Sequence, residues 1–125
     1  MQKKNYSEEI LKIIHSTLSR AELKEKLSNY HENDIADALS ALTPTERQKL
    51  YTVLGVVRVA EIFSYLDDAE PYLKELSSEK AAKVVSNMDS DDAVDALDDL
   101  EEEDKQNIVS RLDKDSAEDV KMLLS

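Results

Sequence analysis

Asp91, Asp95 and Asp98 are spaced i, i+4, i+7, and Asp92, Asp95 and Asp99 form a second set one residue on. At about 100° per residue each set makes a row along one side of a helix. Carboxylate oxygens in such a row suit hard cations, and Mg²⁺ in particular is held through one or two carboxylates while it keeps several waters. The rows belong to the stretch Asp89 to Asp104, which has ten acids in sixteen residues and no Lys or Arg, while the rest of the chain has 18 acids against 16 bases. Nearly all of the net charge of −12 therefore sits there. Ala93, Val94, Ala96, Leu97 and Leu100 keep a helical apolar pattern through it, so the expectation is a folded helix with both rows opposite its apolar stripe, not a loose acidic tail. Like charges at i, i+4 cost an isolated helix about a few tenths of a kcal/mol per pair. A solvated face is the plain explanation of a charge run; the cost of this one makes a cation or a basic partner the alternative to weigh against it.

Hydrolytic chemistry does not fit. An acid/base pair needs two carboxylates facing across a cleft in different environments, and these acids share one helix face. There is no Cys, no HExxH-type metal motif and no Ser-His-Asp spacing, so the chain is not expected to be an enzyme. Asp89-Ser90-Asp91-Asp92 lacks the sixth-position Gly and twelfth-position Glu of an EF-hand loop. With one Gly in the chain, no Gly-rich phosphate cradle can form. His15 sits at the edge of an apolar stripe and His31 at a junction, and neither has metal-site spacing. Tyr6, Tyr30, Tyr51, Tyr65 and Tyr72 are expected at the edge of the core with their hydroxyls reaching water.

The elements that must carry the acidic rows follow from a repeat. From His31 onward, units end at Leu42, Leu54, Leu66, Leu76, Met88, Leu100, Leu112 and Leu124, twelve residues apart except for ten between Leu66 and Leu76. Ile35, Ala38, Leu39 and Leu42 show the apolar spacing of one unit; Ala81, Val84, Val85 and Met88 show it again. Thr43-Pro44-Thr45-Glu46 is a capping-box start, and Asp67, Ser77, Asp89 and Asp113 are further N-cap candidates. Ahead of the repeat, Ser7 and Ser19 are starts for two shorter helices. Pro71 predicts an irregular turn near 67–71, with Glu70 biased away from helix. Gly55 is expected to end a helix in the left-handed conformation.

Helices shorter than about 12–15 residues are marginal alone, so these must stack. The expected fold is all-α: a right-handed superhelix, a solenoid-like array of short helices in units of ~12 residues. Residues 1–30 are N-terminal helices leading into the array and 31–125 the superhelical region, a single domain overall. The chain ends at a unit boundary, which suits a piece cut from a longer protein.

Composition narrows the function classes. A pI near 4.5 opposes nucleic acid, whose phosphates this surface would repel. The longest apolar run, Val53-Leu54-Gly55-Val56-Val57, is far short of the ~20 residues a spanning helix needs, so direct membrane insertion by this segment is not expected. The absence of Cys suits the cytosol, and no secretory h-region follows MQKKNYSEE.

The units also carry a resemblance. ENDIADALSALTPTERQKLYTVL, SSEKAAKVVSNMDSDDAVDALDDLEEED and LDKDSAEDVKMLL are similar to the N-terminal cytosolic domain of the MgtE family of magnesium transporters, where phrases of the type ADIADALEELPPEER and MDPDDAADLLEEL recur. The likeness covers about residues 28–124 and is most specific at Asp34 to Leu39 and at Met88 to Leu100. The chain departs from the pattern with Ser90 where Pro is usual, and with Gly55-Val56-Val57-Arg58 where a Pro-rich joint is common. The resemblance implies a soluble segment on the cytoplasmic side of the membrane, ahead of a pair of CBS domains and a membrane pore, in a transporter that is a homodimer at full length. It implies weak, regulatory Mg²⁺ sensing, with Asp91 and Asp95, and less firmly Asp92, as the metal-contacting residues that bridge to the CBS domains. Short-helix arrays also resemble parts of the flagellar motor switch protein FliG, which implies the competing class: a protein–protein interaction scaffold without an ion.

Overall fold

Most helices begin where the repeat places a boundary; at His31, Thr43 and Ser77 a side chain accepts a hydrogen bond from a first-turn N–H that has no partner within the helix, whereas Gly55, Asp89 and Glu101 stand at their boundaries without a side-chain cap. The computed structural model describes residues 6–112 and residue 118, and every regular element within them is helical, as the all-α expectation requires. In order these are α1 Ser7–His15, α2 Arg20–Leu27, α3 Glu32–Ala38, a 3₁₀ turn Leu39–Ala41, α4 Pro44–Leu54, α5 Val56–Phe63, α6 Glu70–Lys74, α7 Ser78–Ser86, α8 Ser90–Asp98 and α9 Glu102–Val109. The expected cap at Asp113 and the unit end at Leu124 lie outside the described residues.

Thr43 Oγ1 accepts the Glu46 N–H at 3.2 Å and Glu46 Oε1 accepts the Thr43 N–H at 2.7 Å, a complete capping box with Pro44 opening the helix. That backbone hydrogen bond, with His15 beside the same carboxylate, holds Glu46 below the usual carboxylate range. Ser19 and Ser77 cap α2 and α7, each hydroxyl accepting the N–H three residues on, without the reciprocal half of the box. His31 caps α3, its Nδ1 accepting the Asn33 N–H at 3.0 Å, with its ring edge-on to Tyr65. Asp67 departs from expectation, since no helix begins there. The Asp68 carboxylate accepts the Glu70 N–H at 3.1 Å, and α6 starts at Glu70 itself. Pro71 falls in the first turn, where a missing N–H costs no helical hydrogen bond, so the irregular stretch ends before it.

Gly55 ends α4 and opens α5 with φ +86° and ψ 162°. Its φ is positive as expected, but its ψ is extended and not left-handed helical, which lets the Gly55 N–H close α4 onto Tyr51 O while its carbonyl accepts from Val59 in α5. An added Cβ would meet no atom within 4 Å, so any cost of a side chain there is backbone strain alone. Gly55→Ala is expected to destabilise the chain by about 1–3 kcal/mol, read as a lower urea midpoint at unchanged slope.

The chain forms two compact units, Met1–Leu66 and Asp67–Ser125. In the first, α1 packs on α2, α3 and α4, α2 on α4, and α5 on α3 and α4. In the second, α7 packs on α9. Contacts between helices two apart in sequence bury most of the predicted stripes: Ile35, Ala38, Leu39 and Leu42 in the first unit and Ala81, Val84 and Val85 in the second are buried, whereas Met88, the last of its stripe, is half-buried. Tyr51 corrects the core-edge expectation for the tyrosines, because it is 1% exposed and its ring stands edge-on to Phe63 at 5.6 Å.

Two cations of the first unit close helix ends: Lys49 Nζ donates to Ile14 O at 2.8 Å and Arg47 Nη1 to Leu39 O at 3.0 Å. Such groups suit the negative ends of helices. Arg58 Nη2 instead donates to Tyr30 O, in the joint between α2 and α3, at 2.6 Å. Arg58 Nε also donates to Glu32 at 3.0 Å; partial burial pushes the Glu32 carboxyl up, but this hydrogen bond, a backbone hydrogen bond and the charges of Arg58 and His31 together outweigh it and hold the group below its ordinary value. The first unit balances nine acids with nine bases, whereas the second has 19 acids against seven bases. All of the net charge therefore belongs to the unit that contains α8.

Candidate functional site

Helix α8 is seated by Ala93, Ala96 and Leu97, with Leu100 buried just beyond its end. Opposite that stripe Asp91, Asp95, Asp98 and Asp99 are exposed, as the helical wheel requires. Asp92 is half-buried, because it stands four residues from buried Ala96 and so flanks the stripe. The structure thus presents the row Asp91, Asp95, Asp98 to solvent and only part of the second row. Glu101, Glu102 and Glu103 continue the exposed acid at the head of α9.

The two ends of the row differ electrostatically. Asp91 and Asp92 occupy the first turn of α8, where the helix dipole favours negative charge. Asp98 occupies the last turn, where it does not, and there Lys105 Nζ from α9 approaches Asp98 Oδ1 to 3.2 Å. Among the described residues no cation pairs with Asp91, Asp92 or Asp95. Lys74 of α6 is within reach of the charges of Glu101 and Asp104 at the head of α9. Its hydrogen bond with Glu70 at 2.9 Å, helped by Glu101 and Asp104, raises the Lys74 pKa.

Sequence reasoning missed Lys105. It is the residue directly after the acidic stretch, seven positions from Asp98 and across the α8–α9 joint, so no i, i+4 rule connects them.

Among the described residues no three acids or imidazoles converge into a metal cage. The row instead offers oxygen donors singly or as an i, i+4 pair, which fits a hydrated Mg²⁺ bound through one or two carboxylates and does not fit a dehydrated, all-protein site.

Fold and site together define a domain, all-helical among the described residues, whose acidic row stands on one exposed helix face. Residues 30–125 match the family model of the MgtE intracellular N domain, and the chain belongs to that family. It is also similar to the crystal structure of the soluble part of a magnesium transporter, with TM-score 0.85 and 25% sequence identity over 94% of this chain and 47% of that one. The chain thus spans about half the length of that soluble part. No curated protein matches it. Among the described residues no helix is long and apolar enough to cross a membrane.

Proposed function

We propose that this chain is the Mg²⁺-sensing regulatory domain of a magnesium transporter, lying on the cytoplasmic side of the membrane in a homodimeric full-length protein. The observation that carries the reading is the Asp91–Asp95 pair, exposed on a helix held by buried apolar residues and without a cationic partner among the described residues. Membership of the MgtE intracellular N domain family supports it, as does the likeness to the soluble part of a magnesium transporter.

At low Mg²⁺ the carboxylates of α8 repel an acidic surface on the adjacent CBS domains. At high Mg²⁺ hydrated ions shared between the two surfaces replace that repulsion with attraction, and a compact state that closes the pore is favoured. A ligand shifts an equilibrium only by its differential affinity, so Asp91 and Asp95 must hold the ion better when the facing surface is present than when alone. Asp92, being half-buried, has the smaller part.

The test is Asp91→Ala with Asp95→Ala in the full-length transporter, with flux measured in vesicles against internal Mg²⁺. The concentration for half-closure is expected to rise by at least about fivefold, the lower end of ordinary coupling free energies. An unchanged response to Mg²⁺, with the loss of a bound protein instead, would show an interaction scaffold.

A further inference from the structure

Lys105 has only 21% of its side chain exposed, against 54% for Asp98, so its stem is largely covered and the seating of α9 sets the position of its ammonium. Asp98 is poorly placed without it. It lies at the negative end of α8, in a last turn that contains no basic residue, with Asp95 three positions before it and Asp99 next to it. Asp91 has the opposite setting, at the favourable end of the dipole. The row therefore has an open end at Asp91, a clamped end at Asp98, and Asp95 between them within one turn of each.

We propose that Lys105 is a tethered counter-cation that competes with divalent ions for the clamped end of the row, and so sets the ion concentration at which the face is neutralised. This rests on reading the face as Mg²⁺-responsive. A divalent ion drawn toward Asp95 and Asp98 must displace the ammonium or stand against its charge. In either case, removal of that charge lowers the concentration needed. Lys105 ligates nothing; it is a positioning residue that acts through Asp98.

The test is a MgCl₂ titration of the 125-residue chain at constant ionic strength, followed through the backbone amide resonances of α8. Lys105→Met keeps the covered stem and removes the charge, and Lys105→Arg keeps both. The Met variant is expected to half-saturate at about two- to fivefold lower Mg²⁺, the range a surface ion pair can supply. The Arg variant should follow the parent chain, and Asp91→Asn with Asp95→Asn should abolish the response. If the Met variant and the parent share a midpoint while the Asn pair abolishes the response, the counter-cation role is overturned and the Mg²⁺ reading stands. A lower melting temperature in the Met variant with an unmoved midpoint marks a merely structural lysine and overturns it equally. No response in any of the chains overturns the counter-cation role, and the Mg²⁺ reading then stands or falls on the flux measurement in the full-length transporter.

Discussion

Replacing Leu97 with alanine is expected to cost about 2–5 kcal/mol of stability and to loosen the acidic face more than the lost volume suggests. The reason is the composition of the buried side of α8. Ala93 and Ala96 are buried but remove little apolar surface from water, and Leu97, fully buried, is the one large side chain among the three. Full burial of a leucine contributes about 1.5–3 kcal/mol in transfer terms, and the cavity left behind adds to the loss. The same helix carries mutually repelling carboxylates, so it has less local stability in reserve than a neutral helix of nine residues. Urea denaturation gives the global loss, and amide exchange in α8 shows where it falls. Phe63→Ala is the matched control: it empties a comparably buried site in the first compact unit and should leave α8 protection close to its original level relative to the global stability. A Leu97→Ala cost below about 1 kcal/mol would mean that something other than this side chain seats the acidic helix.

The repeat was readable because its signals are local. Leu42, Leu54, Leu76, Met88 and Leu100 each stand immediately before an N-cap position, so an apolar residue followed by a cap marks the boundary without reference to the rest of the fold. Thr43, Ser19 and Ser77 were legible for the same reason: each needs only an N–H three residues ahead. What escaped depends on contacts across helices. Tyr51 is buried because Phe63 of the next helix stands edge-on to it. Lys105 meets Asp98 across the joint between α8 and α9, at 3.2 Å. Asp92 fell between the two cases, since the helical wheel placed it in a row but not at the margin of the apolar stripe. Glu70 showed that the bias against helix before proline yields when proline sits in the first turn. The candidate site was thus visible as a row of charges, while its internal counter-cation required the tertiary structure.

Reversing the charge at Asp91 and Asp95 is expected to do the opposite of neutralising it. If ions act by converting repulsion into attraction, lysines at both positions carry the attraction themselves. The full-length transporter should then close at lower Mg²⁺, although each substitution removes a carboxylate. Two exposed ion pairs at about 1 kcal/mol each give about 2 kcal/mol, roughly a thirtyfold shift between open and closed states. That falls short of the about 5.5 kcal/mol needed to move a two-state equilibrium from one extreme to the other, so some dependence on Mg²⁺ should persist. The Asn pair relieves repulsion without supplying attraction and should instead raise the requirement, as the Ala pair does. Lysine at position 91 also opposes the helix dipole by about 0.3–1 kcal/mol, so the melting temperature of each variant must be compared before the flux data are interpreted. Flux measured in vesicles across a range of internal Mg²⁺ separates the outcomes. If the Lys pair raises the requirement as the Asn pair does, the carboxylate oxygens themselves are indispensable contacts, and a switch driven by the sign of charge on α8 is ruled out.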